Sequence, residues 1–194
     1  MRTLCILEGC EVIQEDTGKV QFTADADIDA DGSPHAYNPR DTGLDALANA
    51  RDGREWCGIV TVGGAPYVAP SGFYVSTTAY QWPGKAVTDP TRYVDSEQVP
   101  FIVVSPLIRA RAAGIVLGCK VRLTNLKNGR SVDAVVADIG PRSKIGEISI
   151  AAALAIGVPS SPRTGGESEH IIIYELWPGV AAVVNGVTYN LIPA

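Results

Sequence analysis

The chain has few of the residues that most often carry nucleophilic or metal-dependent chemistry. Its 194 residues include only two histidines and four cysteines. The histidines, His35 and His170, are far apart in sequence and provide neither a metal cluster nor an obvious base for a catalytic triad. The cysteines show no Cys-x-x-Cys spacing, which disfavours a zinc site, and the sequence leaves their pairing open. They are Cys5, Cys10, Cys57 and Cys119.

Several familiar motifs are also missing. No Gly-x-Ser-x-Gly elbow, phosphate-binding loop or dinucleotide fingerprint occurs. The usual nucleophile and cofactor chemistries are therefore disfavoured, and the sequence predicts an activity that needs no cofactor and no metal.

Long apolar runs and an excess of basic charge are likewise absent. No run is long enough to span a bilayer, so no membrane partner is predicted. The net charge of −5 argues against a nucleic-acid partner, which requires a basic surface. The segment Met1–Glu8 reaches an acidic residue too early for a secretory signal. No oligomerisation signature is visible, and a monomer is expected.

Composition points to a β-rich single domain. Hydrophobic residues make up 46% of the chain, and 20 glycines with 13 prolines indicate many turns between short strands. We predict one catalytic domain over 1–194, with a loop-rich N-terminal region at 1–57 packed on a β-barrel core at 58–194. The predicted strands are Ile59–Val62, Gly72–Thr78, Val99–Ser105, Lys120–Leu126, Ser131–Asp138 and His170–Leu176, with short helices at Leu44–Ala50 and Ser149–Gly157.

Two carboxylates near the end of this series are the first candidates for catalysis. Asp138 ends an apolar strand, and Glu147 follows nine residues later across a Gly/Pro loop. Strict alternation places Asp138 on the face of Val136, beside apolar side chains that favour its protonated form. Glycoside hydrolysis needs two carboxyl groups facing each other across a sugar. The simpler interpretation is a turn residue and a solvated carboxylate near a helix start.

The acidic residues are unevenly distributed. Eight of them lie between Glu8 and Asp31, where Lys19 is the single base. Such a field attracts cations, although a charge run is usually a solvated surface. The series Asp27-x-Asp29-x-Asp31-Gly also resembles half of a calcium loop, but its twelfth position is Asn38, where a bidentate Glu is expected. We rank substrate or structural carboxylates ahead of calcium ligands.

The barrel portion resembles a known superfamily. The stretch 121–131, the Asp138-Ile-Gly-Pro141 motif and the Ala-rich helix 149–157 are similar to the rare-lipoprotein-A and expansin-like proteins. This resemblance implies a six-stranded double-psi β-barrel with short helices.

Additional blocks bring a closer resemblance. The segments 22–32, 72–77, 93–104 and 146–150 look like the fungal-type chitosanases of glycoside hydrolase family 75, over about Phe22 to Trp177. That family implies endo-acting, inverting hydrolysis of chitosan by Asp138 and Glu147. Analogy with related barrels makes Glu147 the general acid and Asp138 the general base. The reverse assignment stays open, because the positive end of the following helix would lower the pKa of Glu147, which suits a base. The family also implies action outside the cell and carboxyl groups roughly 6.5–9.5 Å apart. Fungal members carry Gly-Asp-Thr-Asn-Gly where this chain has Ala137-Asp-Ile-Gly-Pro141.

Chitosan is cationic in mildly acidic water, so carboxylates and aromatic rings are expected to bind it. Arg142 either orients Asp138 or is simply solvated, and Trp56 is assigned to the core. The predicted substrate-binding residues are Asp25, Asp27, Asp29, Thr77, Tyr80, Trp82, Arg142 and Trp177.

Two other functions are compatible with the same barrel. One is a peptidoglycan lytic transglycosylase of the rare-lipoprotein-A type, which needs one acid and no attacking water. The other is an expansin-like module that binds polysaccharide without cutting it, because a fold does not fix a function.

Overall fold

The computed structural model describes residues 1–193, and β-strands dominate it. Within that range there are two short α-helices, α1 (Pro106–Arg111) and α2 (Ile150–Ile156). Two 3-10 helices cover Leu47–Ala50 and Pro90–Arg92. The strands are β1 (Arg2–Leu7), β2 (Cys10–Gln14), β3 (Val20–Asp29), β4 (Arg51–Asp52), β5 (Glu55–Trp56), β6 (Thr61–Val62), β7 (Ala65–Pro66), β8 (Phe101–Val104), β9 (Cys119–Asn125), β10 (Ser131–Ile139), β11 (Glu147–Ser149), β12 (Glu167–Val184) and β13 (Val187–Tyr189).

Six of these strands close into a barrel. Their order is β3-β11-β8-β10-β9-β12, and β12 pairs back with β3. The pairs β3–β11 and β8–β10 are parallel, whereas the other four are antiparallel. The predicted mainly β class, the six-stranded barrel and the short helices are confirmed.

The barrel interior holds the main hydrophobic core. Along β3, Val20, Phe22, Ala24 and Ala26 are buried and alternate with more exposed residues. The ring of Phe22 stacks on that of Tyr174, with centroids 4.7 Å apart. Each fully buried large apolar side chain stabilises the fold by about 1.5–3 kcal/mol.

The structure corrects the prediction of a loop-rich region over 1–57. Strands β1, β2 and β3 all lie there, and β3 is a full member of the barrel. The alternation of β3 is regular, but its outward positions include Asp25 and Asp27, and we interpreted those carboxylates as a charged loop. The barrel therefore begins well before residue 58.

A long connection between β3 and β8, residues 30–100, covers part of the barrel's outer surface. It contains little regular structure: the predicted strands at 59–62 and 72–78 are mostly irregular, joined by isolated bridges such as Ile59–Ser76. The predicted helix at 44–50 is a 3-10 turn. A second apolar cluster, which includes Tyr37, Tyr74 and Ile150 of α2, anchors this connection.

The remaining predicted elements are confirmed. The β9–β10 hairpin and strand β8 match their predictions, and β12 contains the predicted strand at 170–176 but is much longer. Ser149 caps α2 by accepting a hydrogen bond from Ala152 N at 3.1 Å, and Gly157 ends it with φ of +74°.

None of the helices found over residues 1–193 is both long and apolar enough to cross a membrane.

Candidate active site

A β-bulge decides which way Asp138 faces. Val136 pairs with Ile102 and Asp138 pairs with Val103, so Ala137 is an extra residue between them. Neighbours on β8 point to opposite faces, and paired residues share a face. Ile102 is buried in the core, so Val136 faces inward and Asp138 faces outward with Val103. The prediction that Asp138 shares the face of Val136 is wrong, because the bulge shifts the alternation by one residue.

Glu147 lies on the same outer face. It begins β11, where it pairs with Val103 on one side and with Asp27 on the other. Asp138, Val103, Glu147 and Asp27 thus form one row across four adjacent strands. Two strand spacings separate the Cα atoms of Asp138 and Glu147, which is roughly 9.5 Å. The predicted separation of their carboxyl groups remains a prediction.

The loop after Asp138 closes against Glu147. A Cβ built on Gly140 would lie 3.5 Å from Glu147 Oε2 and 2.9 Å from Val103 Cγ1. Glycine at this position therefore lets the backbone approach the carboxyl group closely.

This row borders two cavities, of about 830 Å³ and about 350 Å³. Asp29, Asp31, Asn49 and Glu147 line both of them, and we call the combined space the acidic cleft. The connection at 30–100 supplies much of its wall. Residues lining only the larger cavity include Arg51, Asp52, Cys57, Thr77, Thr78 and Asp138; those lining only the smaller one include Asp27, Tyr37 and Asp45. Such volumes are typical of small-ligand sites.

Asp138 is held by backbone groups. Its Oδ1 accepts hydrogen bonds from Ala79 N at 2.9 Å and from Ile139 N at 2.7 Å. The pKa of Asp138 is raised to about 7: burial raises it most, the two hydrogen bonds lower it, and the charge of Glu147 raises it. Arg142 is exposed and makes no side-chain hydrogen bond to Asp138, which agrees with the alternative that it is solvated.

Glu147 is also prepared to hold a proton. Burial raises its pKa to about 8, and the nearby charges of Asp29 and Asp27 add to this effect while Lys144 opposes it. The sequence suggested that the start of α2 would instead lower this pKa. In the structure, desolvation and neighbouring carboxylates outweigh a helix of seven residues.

Asp29 is a buried acid of the cleft. It ends β3, is 7% exposed, and its Oδ1 accepts a hydrogen bond from Asp31 N at 2.7 Å. Its Oδ2 is buried without a hydrogen-bond partner within residues 1–193. Burial raises the pKa of Asp29 to about 8, and the charge of Asp138 contributes next.

Asp31 belongs to a hydrogen-bond network with Tyr37 and Asp45. The hydroxyl of Tyr37 lies 3.1 Å from both Asp31 Oδ1 and Asp45 Oδ2, yet a hydroxyl donates only one hydrogen. It can therefore donate to only one of the two carboxyl groups at a time. Burial, followed by the charge of Asp29, raises the pKa of Asp31 well above its usual range.

Some predicted substrate-binding residues lie in the cleft and others do not. Asp27, Asp29 and Thr77 line it. Asp25 lines neither cavity, and its Oδ1 would be only 2.2 Å from a Cβ built on Gly146.

The predicted aromatic residues are outside the cleft. Tyr80 is 2% exposed and packs edge-on against Trp82 and Tyr189, so it is a core residue. Trp82 lines a separate, more apolar cavity of about 250 Å³. Trp177 lies on β12 with Lys120 Nζ 5.1 Å from its ring centroid. The structure therefore does not bring these three rings to the carboxylates. Trp56, assigned to the core, is half-buried, and the guanidinium of Arg51 lies over its ring.

Sequence reasoning missed part of the site. Asp45 and Asn49 line the cleft, as do Arg51, Asp52 and Cys57. Asp31, which extends the Asp27-x-Asp29 alternation, was noted in the acidic series but not placed among the substrate-binding residues. The others lie in an irregular connection whose course the sequence pattern does not reveal.

The acids of the cleft do not form a recognisable metal site. Over residues 1–193, no group of three or more His, Cys, Asp or Glu side chains is arranged to hold a metal ion. The calcium interpretation of Asp27, Asp29 and Asp31 therefore has no support from the geometry.

A scan against protein-family models found no matching family, and a search of curated proteins found no relative.

Proposed function

We propose that the protein is an inverting, endo-acting chitosanase of the family 75 type, which hydrolyses the β-1,4 linkages between glucosamine units. The observation that carries the proposal is the row in which Asp138 and Glu147 face the same acidic cleft on either side of Val103. Inverting hydrolysis requires two carboxyl groups that are far enough apart for a water to fit between them, and Cα atoms two strand spacings apart are compatible with this requirement.

The two acids have different parts in the reaction. Glu147, with a pKa of about 8, holds a proton at neutral pH and donates it to the glycosidic oxygen as the C1–O bond breaks. Asp138, with a pKa of about 7, loses its proton first and accepts one from the water that attacks C1 from the opposite face. The backbone N–H groups of Ala79 and Ile139 hold Asp138 in one orientation.

The charge of the cleft supports a cationic substrate. Over residues 1–193, no Lys, Arg or His nitrogen lies within 4.0 Å of a carboxyl oxygen of Asp29, Asp31, Asp138 or Glu147. A polymer with an ammonium group on each unit would supply the missing counter-charge. We propose that the enzyme meets this polymer outside the cell, as a monomer.

The strand order of the barrel also supports the proposal of a family 75 type enzyme. We propose that it is a double-psi β-barrel. The support is its strand order, in which two parallel pairs, β3–β11 and β8–β10, are separated by antiparallel pairs. Asp138 lies within one parallel pairing, and Glu147 begins the strand of the other.

The test is reducing-end release from chitosan, acetylated chitin and peptidoglycan by the wild type and by Glu147→Gln. Glu169→Gln, an exposed carboxyl group outside the cleft, is the matched control. We expect cleavage of chitosan by the wild type and the control but not by Glu147→Gln. Peptidoglycan products with anhydro ends would indicate a lytic transglycosylase instead. Binding of polymer without any cleavage would indicate an expansin-like module.

A further inference from the structure

Asp29 is an acid of the cleft that has no part in the two-carboxylate reaction. Asp29 is nine-tenths buried, yet it lines both cavities and leaves Oδ2 without a hydrogen-bond partner. An isolated buried polar atom is costly, and most such atoms in native proteins are satisfied. A ligand that brings a hydrogen-bond donor to this atom would satisfy it.

The groups facing Asp29 define the chemistry of that ligand. Carboxyl groups approach it from its own strand, from the connection at 30–100, and from β10 and β11; they are Asp27, Asp31, Asp45, Asp138 and Glu147. The hydroxyl of Tyr37 joins two of these acids.

Basic side chains near the cleft are engaged elsewhere. Arg51 lines the larger cavity, but its guanidinium lies 3.5 Å from the ring centroid of Trp56. Lys144 forms an ion pair with Glu8 at 3.1 Å. A small cation with several N–H donors, such as a primary ammonium, matches this cluster of acceptors.

We propose that Asp29 and Asp31 form a subsite for one primary ammonium group, and that its binding expels a proton from the carboxyl cluster so that the ligand itself prepares Asp138 as a base. The sugar identity rests on the proposed function, whereas the ammonium subsite does not depend on cleavage.

The proton balance follows from the crowding of the acids. Without a cation, neighbouring buried carboxyl groups cannot all be ionised, and they retain protons. When R–NH₃⁺ binds, the carboxyl group that pairs with it becomes a carboxylate and its proton passes to water. The added positive charge also lowers the pKa values of the other acids, Asp138 among them. An N-acetylated unit carries no such charge and leaves the cluster protonated.

The experiment is calorimetric titration with the glucosamine dimer and, separately, with its fully N-acetylated form. It is performed at pH 6 in two buffers of different ionisation enthalpy, which together give the number of protons released. At this pH the amines are charged, and the pKa values of about 8 for Asp29 and Glu147 keep the cluster protonated. For the wild type we expect release of about one proton per charged dimer and none with the acetylated dimer.

Asp29→Asn is the decisive variant, because the amide retains an oxygen to accept the Asp31 N–H but cannot ionise. It should bind the charged dimer at least about tenfold more weakly and release little or no proton. Asp133→Asn, an exposed acid paired with Arg122, is the matched control and should behave as the wild type. Thermal unfolding establishes that both variants are folded.

Each outcome bears on the proposal. Equal binding and proton release by Asp29→Asn and the wild type would overturn it. So would the absence of binding by the wild type, or equal proton release with the acetylated dimer. If binding releases a proton but no chitosan is cleaved, the subsite stands and the proposed hydrolase function fails. If chitosan is cleaved while Asp29→Asn binds normally, the hydrolase stands and the subsite fails.

Discussion

Replacing Asp29 with Asn should change how the stability of the protein depends on pH. Asp29 has an ordinary pKa of 3.8 in the unfolded chain and a pKa of about 8 when folded. Because the folded state prefers the protonated form, its contribution to stability is fully present below pH 3.8. The contribution is lost as pH rises from there through about 8.

The magnitude follows from the size of this shift. Raising the pKa from 3.8 to about 8 is a difference of about four units, and each unit corresponds to about 1.4 kcal/mol. Ionisation of Asp29 alone would thus destabilise the folded state by up to about 6 kcal/mol above pH 8. Protons shared with Asp138 and Glu147 reduce this figure, so we expect a gain of about 2–3 kcal/mol for Asp29→Asn at pH 9.

Urea unfolding followed by tryptophan fluorescence at pH 5, 7 and 9 measures the effect. The free energies of unfolding of the wild type and Asp29→Asn should diverge as the pH rises, with the variant increasingly the more stable. Asp133→Asn, outside the cleft, should follow the wild-type curve. Parallel curves for the wild type and Asp29→Asn would refute the reasoning, since they would mean that Asp29 is not held protonated by its surroundings.

Three further predictions concern activity on chitosan. The kcat/KM profile of the free enzyme should fall below about pH 7, where Asp138 is protonated, and above about pH 8, where Glu147 loses its proton; a single rising or falling limb would contradict the paired roles. Gly140→Ala should lower kcat at least about tenfold with little loss of secondary structure by circular dichroism, because the added Cβ would clash with Val103 and lie close to Glu147. An unchanged kcat would mean that the loop shifts to accommodate the methyl group. A bulky maleimide should inhibit the wild type at pH 8.5 but not Cys57→Ser, since Cys57 is exposed in the cleft; equal inhibition of both would place the reactive thiol elsewhere.

The local sequence pattern was sufficient to predict the elements whose turn, capping and apolar residues all favour the same structure. The β9–β10 hairpin, strand β8 and helix α2 were predicted because their turns, caps and apolar residues follow regular periods. Strand β3 was missed although its alternation is regular, because its outward positions carry acids that we interpreted as a solvated loop. In this case charge obscured a pattern that was present.

The sequence by itself determined that the protein is mainly β, that its helices are short, and that Asp138 and Glu147 flank a Gly/Pro loop. Only the tertiary structure decided that they face the same cleft, because a single extra residue at Ala137 reverses the face of Asp138. It also decided that Asp29 and Asp31 join them, since acids distant in sequence meet only when the barrel closes and the connection at 30–100 folds over it. Their raised pKa values have the same origin: burial and mutual proximity depend on the packing of distant segments, which no local pattern records.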